Sequence, residues 1–297
     1  MQFTFIIPHK NTPILLERCL NSIPEREDIE IIIVDDCSDS SIVDFNNFPG
    51  LNRCNTNCIF LEQSRGAGYA RNVGIEQSKG KWLLFADADD FYTRSIDNFL
   101  EKYKNNDVLD VVYLNAQTYY ECDGHIEQMS YSRYFQRYNK QLFYSEKVVR
   151  YNIWTPWTRM VKRDLVIENN IKYEEIPVGN DQMFSLLVSK YAKSIDIEQD
   201  IIYNYFVPTT GSVTYAYSNN INTISQRLEL QYRINTLYDD VHYFFKRSYI
   251  YTYLRGNIRD KRLKYLYKTF FKSHSISVLE DLFNMLVLII GKCFKII

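Results

Sequence analysis

The first ninety residues alternate between short apolar runs and stretches with helical spacing. Phe3–Pro8, FTFIIP, is an apolar run closed by proline and predicts a buried strand. Pro13–Ile23, PILLERCLNSI, carries apolar residues at helical spacing, with Thr12 as candidate N-cap and Pro13 in the first turn. Ile29–Asp36, IEIIIVDD, predicts a second strand rich in β-branched residues, and CIFLEQ a third. The segment GAGYARNVGIEQSKG has helical spacing that ends at Gly80, and KWLLFADADD predicts a fourth strand. Strands alternating with helices in this way imply an α/β, doubly wound, mostly parallel sheet flanked by helices.

The later chain is less regular. Leu109–Tyr120 predicts a strand, and GHIEQMSYSRYFQRYN a turn followed by a polar-aromatic segment. Asn180–Ala192 predicts an amphipathic helix with Met183, Phe184, Leu187 and Tyr191 on one stripe. SIDIEQDIIYNYFV predicts strands, and beyond about Asn220 the pattern turns to long helices. The organisation expected is an α/β domain over 1–215, split into halves at about 110, and a helical C-terminal region over 216–297.

Ligands of doubly wound sheets bind at the carboxyl ends of the strands. Acids stand at two such ends, Asp35–Asp36 and Asp87, Asp89 and Asp90. Three clustered carboxylates repel one another unless a positive charge sits among them. With no His or Cys nearby, a hard divalent ion such as Mg²⁺ or Mn²⁺ suits them better than zinc. The glycines of RGAGYARNVG do not match a dinucleotide fingerprint, because Arg71 falls at the third glycine position. No Walker-type GK[ST] occurs, and the four histidines, His9, His125, His242 and His274, are dispersed. His9, beside Pro8, stands at a predicted strand end, where such a sheet would line a ligand pocket.

Charge adds a second theme. The net charge of −1 conceals a balance of +8 over residues 246–297 and −9 over the rest. The basic, aromatic tail suits the face of an anionic membrane, and its apolar run is too short to span one. The acidic body argues against nucleic acid as partner. CNTNC at Cys54–Cys58 lacks a second metal-ligand pair, and the N-terminus lacks a signal-peptide pattern, so reduced thiols in the cytoplasm are expected.

Taken in order, the strand ending at Pro8, VDDCSDS, and SRGAGYARNVGIEQSKGKWLLFADADDF resemble the family 2 glycosyltransferases of the GT-A fold. The resemblance covers roughly residues 1–215. It implies inverting transfer of a sugar from a nucleotide diphosphate, with uridine-linked donors foremost, to a saccharide or polyprenyl-diphosphate-linked acceptor. Pro8, Asp36, Arg71, Asp87 and Asp89 are then donor-binding residues. Asp36 would contact the base and Asp87 the ribose. Asp89 would hold the metal, and Asp90 would support it. VGNDQMF matches the family's acidic pair before an aromatic, which makes Asp181 the general base and leaves Asn180 in place of the first acid. Trp157 matches an acceptor-segment tryptophan, and Trp154 is its neighbour. Phe206 stands where an arginine is usual, and Ser212 is a polar candidate. The competing expectation is a catalytically silent module that binds a nucleotide-sugar or scaffolds a partner transferase. A nucleotidyltransferase would need a Gly-rich basic loop after the first strand, which PHKNTP does not provide.

Overall fold

The computed structural model describes residues 1–139, 143–209, 220–241, 246–255 and 260–293. The chain forms two compact units, Met1–Gly211 and Ser212–Ile297. The first is built on a nine-stranded sheet with the order β3-β2-β1-β4-β8-β6-β9-β5, in which β7 pairs with β6.

β1 (Phe3–His9), β2 (Ile29–Asp35), β3 (Thr56–Phe60) and β4 (Trp82–Phe85) pair in parallel. β1, β2 and β4 are buried along their whole length, which is why each is mainly apolar; the buried polar pair inside β1 and β2 is satisfied internally, Thr4 Oγ1 donating to Glu30 at 2.7 Å. The remaining strands are β5 (Phe91–Tyr92), β6 (Val111–Tyr120), β7 (Ile126–Gln128), β8 (Arg159–Lys162) and β9 (Ile195–Val207). β8 lies antiparallel between β4 and β6, whereas β6 and β9 are parallel. The sheet is thus parallel in its first half and mixed in its second.

Helices α1 (Pro13–Asn21), α2 (Ala67–Gln77) and α3 (Ile96–Tyr103) connect the early strands. Thr12 makes no side-chain cap; its backbone N–H donates instead to His9 Nε2 at 3.1 Å. α2 stops at Gln77, with Ser78 as C-cap, rather than at Gly80. Gly80 serves another need: a Cβ there would lie 2.7 Å from the backbone of Phe3 and Thr4. α4 (Ser132–Gln136), α5 (Phe143–Asn152), α6 (Arg163–Glu168) and α7 (Gln182–Tyr191) complete the unit. On α7 Met183 and Phe184 of the expected stripe are buried and Leu187 is half-buried, but Tyr191 is exposed, and burial extends beyond the stripe to Ser185, Leu186, Val188 and Ser189.

SIDIEQDIIYNYFV forms one long strand. Its register against β6 shifts between Tyr113 and Ala116, and Asn115 Nδ2 donates to the Gln199 carbonyl at 3.0 Å across the irregularity.

The second unit holds α8 (Ile221–Val241), α9 (Tyr249–Arg255), α10 (Lys261–Ser273) and α11 (Val278–Cys293). Leu228, Tyr249, Leu263, Tyr267 and Phe270 form its core. The Asp281 carboxylate accepts from Ser248 Oγ and from the N–H groups of Tyr249 and Ile250, closing the first turn of α9. No described helix is long and apolar enough to cross a membrane.

Candidate active site

The site begins where β1 and β2 end. Pairing of β1 with β4 stops at Ile6–Phe85, so the missing N–H of Pro8 costs no ladder bond on that side. His9 follows and is buried. Its Nδ1 lies 2.7 Å from Asp35 Oδ2, and its Nε2 accepts from Thr12, so the proton sits on Nδ1. Asp35 also accepts from Ser38 N and Oγ at 2.9 and 2.5 Å. Burial works against its charge, but His9 and Ser38 hold the carboxyl below its ordinary value. His9 is therefore a buried buttress packed on Phe48, not an open pocket wall.

Asp36 faces the turn into α2. Its carboxylate accepts from Ser64 Oγ and Arg65 N at 2.7 Å and from Gly66 N at 3.0 Å, with Lys10 at 3.7 Å. Gly66 has φ +86°, a conformation that glycine adopts freely.

Arg71 is buried on α2 and joins two parts of the site. Its Nη2 lies 2.5 Å from Asp87 Oδ1, and its Nη1 donates to Asn180 Oδ1 at 2.9 Å. Burial opposes its charge, but Asp87, Tyr173 and Asp181 outweigh that and raise its pKa. Asn72, one residue on, exchanges two hydrogen bonds with the backbone of Tyr173, which stacks on Phe184 at 4.0 Å. Gly68 lets the 174–180 loop lie directly on α2, since a Cβ there would sit 2.0 Å from the Glu174 carbonyl oxygen.

The three acids after β4 have three different surroundings. Asp87 is held by Arg71, and its N–H donates to Tyr203 Oη at 3.0 Å. Asp90 is fully buried and accepts from Tyr203 Oη at 2.9 Å and Phe206 N at 2.7 Å. Burial, then Asp87 and Asp89, push its carboxyl well up. Asp89 is exposed, and its carboxylate accepts no hydrogen bond from another described residue. The protein mass around it, and then Asp87, push it up to about 6, while its open face remains wet.

Asp181 occupies the N-cap position of α7, yet its side chain caps nothing. It is half-buried at its tip and surrounded by protein beneath. That desolvation, only partly offset by Arg71, pushes it up to about 6. Asn180 is fixed by Arg71 and by the backbone bond from Glu174 N to its own carbonyl, 3.0 Å long.

Trp157 departs from expectation. It is 3% exposed, and its ring stacks on Tyr203 at 4.9 Å and Tyr205 at 5.8 Å, so it is packed rather than open. Tyr205 is 38% exposed. Trp154 is half-buried, with Nε1 donating to the Tyr151 carbonyl. Ser212 lies outside the described residues. Phe206 is buried, and the Arg18 guanidinium lies 3.9 Å over its ring and 4.8 Å from that of Phe91, with Nη2 donating to the Asp89 carbonyl. Arg18, Tyr203 and Asn72 carried no motif signal. The residues that touch them stand 71, 113 and 101 positions away.

Among the described residues, no group of three or more His, Cys, Asp or Glu is arranged to hold a metal by itself. The donor set at Asp89 is one open carboxylate with Asp87 nearby. That fits a hard divalent ion that takes one or two carboxylates and draws its other ligands from phosphate and water.

Residues 4–166 match the family model described as glycosyl transferase family 2. A poly(ribitol-phosphate) beta-glucosyltransferase of Bacillus spizizenii is 27% identical over 231 residues, 74% of this chain and 35% of the relative. The poly(ribitol-phosphate) beta-N-acetylglucosaminyltransferase TarS of Staphylococcus aureus is 25% identical over 218 residues, 71% of this chain and 36% of its own. The chain thus spans about a third of the length of these relatives. Among solved structures, S. aureus TarS 1–349 in complex with UDP-GlcNAc superposes with a TM-score of 0.67 at 19% identity, covering 92% of this chain and 81% of that one. Mannosyltransferase PcManGT from Pyrobaculum calidifontis, in complex with GDP-Man and Mn²⁺, gives 0.55 at 15% identity, with 100% and 81% coverage. The fold is the GT-A architecture that the resemblance implied. With the family model spanning more than half of its length, the chain belongs to glycosyl transferase family 2.

Proposed function

We propose that the protein is an inverting, metal-dependent glycosyltransferase that moves a sugar from a nucleotide-diphosphate donor to a saccharide or lipid-linked saccharide acceptor in surface-polysaccharide synthesis. The observation that carries this reading is the bridge made by Arg71. One guanidinium joins Asp87, at the donor strand end, to Asn180, which adjoins the carboxylate of Asp181. UDP-GlcNAc in a solved neighbour and the poly(ribitol-phosphate) transferases among the relatives support a uridine-linked donor and a polymer acceptor.

In this reading Pro8 and Asp36 border the base, and Asp87 borders the ribose. Asp36 does so from a carboxylate already anchored by the 64–66 turn. A divalent ion, Mn²⁺ or Mg²⁺, held at Asp89 would neutralise charge growing on the leaving diphosphate. Asp90, locked by Tyr203 and the Phe206 N–H, holds the loop that presents Asp89. Asp181 takes the proton of the acceptor hydroxyl as its oxygen attacks the anomeric carbon. The bond to the diphosphate breaks on the opposite face, which inverts the centre. A carboxyl pushed up to about 6 is a stronger base than a surface aspartate and is still ionised at neutral pH. Trp157 contributes from behind, backing the exposed ring of Tyr205 against which an acceptor sugar would rest.

The second unit would bring the enzyme to the cytoplasmic face of an anionic membrane. α10 exposes Lys261, Arg262, Lys264, Lys268 and Lys272, and α11 exposes Leu279, Leu282, Phe283, Leu286 and Ile289. Cosedimentation with anionic but not neutral vesicles tests this part.

The donor reading is tested by nucleoside diphosphate release from UDP-, GDP- and dTDP-sugars, with Mn²⁺ or with chelator. Metal-dependent release from one donor, lost in Asp89→Asn, is the expected result. Donor binding without turnover in wild type, with acceptor fractions supplied, would favour the silent module instead.

A further inference from the structure

We propose that Arg18 is a donor-binding residue whose guanidinium binds the diphosphate of the nucleotide-sugar beside the Asp87–Asp90 loop. This rests on the donor-site reading above and adds to it a residue from α1.

Arg18 reaches away from its own helix. Nη2 donates to the Asp89 carbonyl at 2.5 Å, and the flat cation lies over Phe206 at 3.9 Å and near Phe91 at 4.8 Å. Two rings and one backbone bond therefore hold it against the loop that carries the acidic cluster. The rest of its hydrogen-bonding capacity is unspent. Nε is buried with no partner, Nη1 bonds to no described residue, and no described carboxylate forms an ion pair with it. A guanidinium fixed this way keeps donors that match phosphate oxygens in pairs.

Other arginines of this unit are committed elsewhere. Arg71 is divided between Asp87 and Asn180, and Arg53 between the carbonyls of Leu20 and Ile23. Arg159 gives both terminal nitrogens to the carbonyls of Ser185 and Ile153. A leaving diphosphate gains negative charge as the sugar departs, so a preorganised cation at its side stabilises that step as well as binding.

The test is calorimetric binding of UDP, GDP and dTDP, and of the three nucleosides, to the full chain with Mn²⁺. Wild type is compared with Arg18→Gln, which keeps a donor for the Asp89 carbonyl. It is also compared with the double variant Arg18→Gln/Phe206→Arg, which returns a guanidinium from the ring position beneath. Arg18→Gln is expected to weaken the preferred nucleoside diphosphate on the order of 10- to 100-fold and to leave the nucleoside unchanged. The double variant is expected to recover part of that loss. Unchanged diphosphate affinity in Arg18→Gln overturns the proposal. So does an equal loss for nucleoside and diphosphate in a variant that melts like wild type, since that would mark a residue holding only shape. Arg18→Met replaces Arg18→Gln if the latter does not fold, and is judged by the same two comparisons. A wild type that binds none of the three diphosphates fails the donor reading itself, and Arg18 falls with it.

Discussion

Adding one methyl group at Gly68 tests how the Asn180–Asp181 side of the site is held. The Cβ of Gly68→Ala would begin 2.0 Å from the Glu174 carbonyl oxygen and 3.2 Å from Asn180 Cβ. Ordinary contact begins at about 3.4 Å, so the 174–180 loop must retreat by about 1.4 Å. The obstacle is backbone, which has no rotamer to escape through. Glu174 is tied to Asn180 by a 3.0 Å backbone bond, so the retreat is passed to Asn180 and its bond to Arg71. The stability effect is small. Overpacking costs about 1–3 kcal/mol, and alanine returns about 1 kcal/mol as the better helix former. The catalytic effect is larger, because misplacing a reacting group by about 1 Å costs on the order of 100-fold. Urea unfolding and nucleoside diphosphate release, run on the same preparation, separate the two. The expected result is a loss of about 2 kcal/mol or less in stability with a drop of about 100-fold in turnover. A variant with wild-type turnover would refute the argument that this close approach places the Asn180–Asp181 pair.

Three further predictions concern titration and the site floor. If Asp181 is the base, turnover rises as pH passes about 6, where its carboxyl ionises, and levels off above; a profile flat from pH 5 to 8 would remove it from that role. The same raised pKa makes the ionised form a burden on the folded state between the unfolded value and about 6, so wild type loses stability as pH climbs through that window. Asp181→Asn should therefore be inactive yet more stable than wild type at pH 8, by about 1–3 kcal/mol, with the gain gone near pH 4; denaturant melts at both pH values check this. Tyr203→Phe removes the donor to Asp90 and the acceptor of Asp87 N–H together, so a loss of about 1–3 kcal/mol in urea unfolding is expected.

What the sequence revealed follows from where each residue finds its partners. β1, β2 and β4 were legible because burial on both faces demands mainly apolar, β-branched or aromatic runs. The acids at their ends were legible because strand ends are where such sheets bind. β8 was not legible as a strand. It is four residues long and opens on Arg159, a charged residue that is fully buried, with its terminal nitrogens donating to two backbone carbonyls. Trp157 was expected to face an acceptor, but a motif does not say whether a ring is open or covered. Its stacking on Tyr203 and Tyr205 depends on the register of β9, which local pattern does not contain. Asp181 was legible as a carboxylate at a helix start. That it leaves the helix uncapped was not, nor was the buried Arg71 on a distant helix whose charge it feels.

The support beneath Asp90 has a consequence for how the enzyme comes into being. A ribosome delivers Asp90 to the folding chain long before Phe206, which follows 116 positions later, and Tyr203 arrives only slightly earlier. Until that strand emerges and docks, the acidic loop has a carboxylate with no donors to meet it, and burying it is unfavourable. The nascent first half therefore carries the acidic motif in its letters without the means to hold it in shape. The shape that Tyr203 and Phe206 give to the acidic loop is complete only once the far end of the unit has been made.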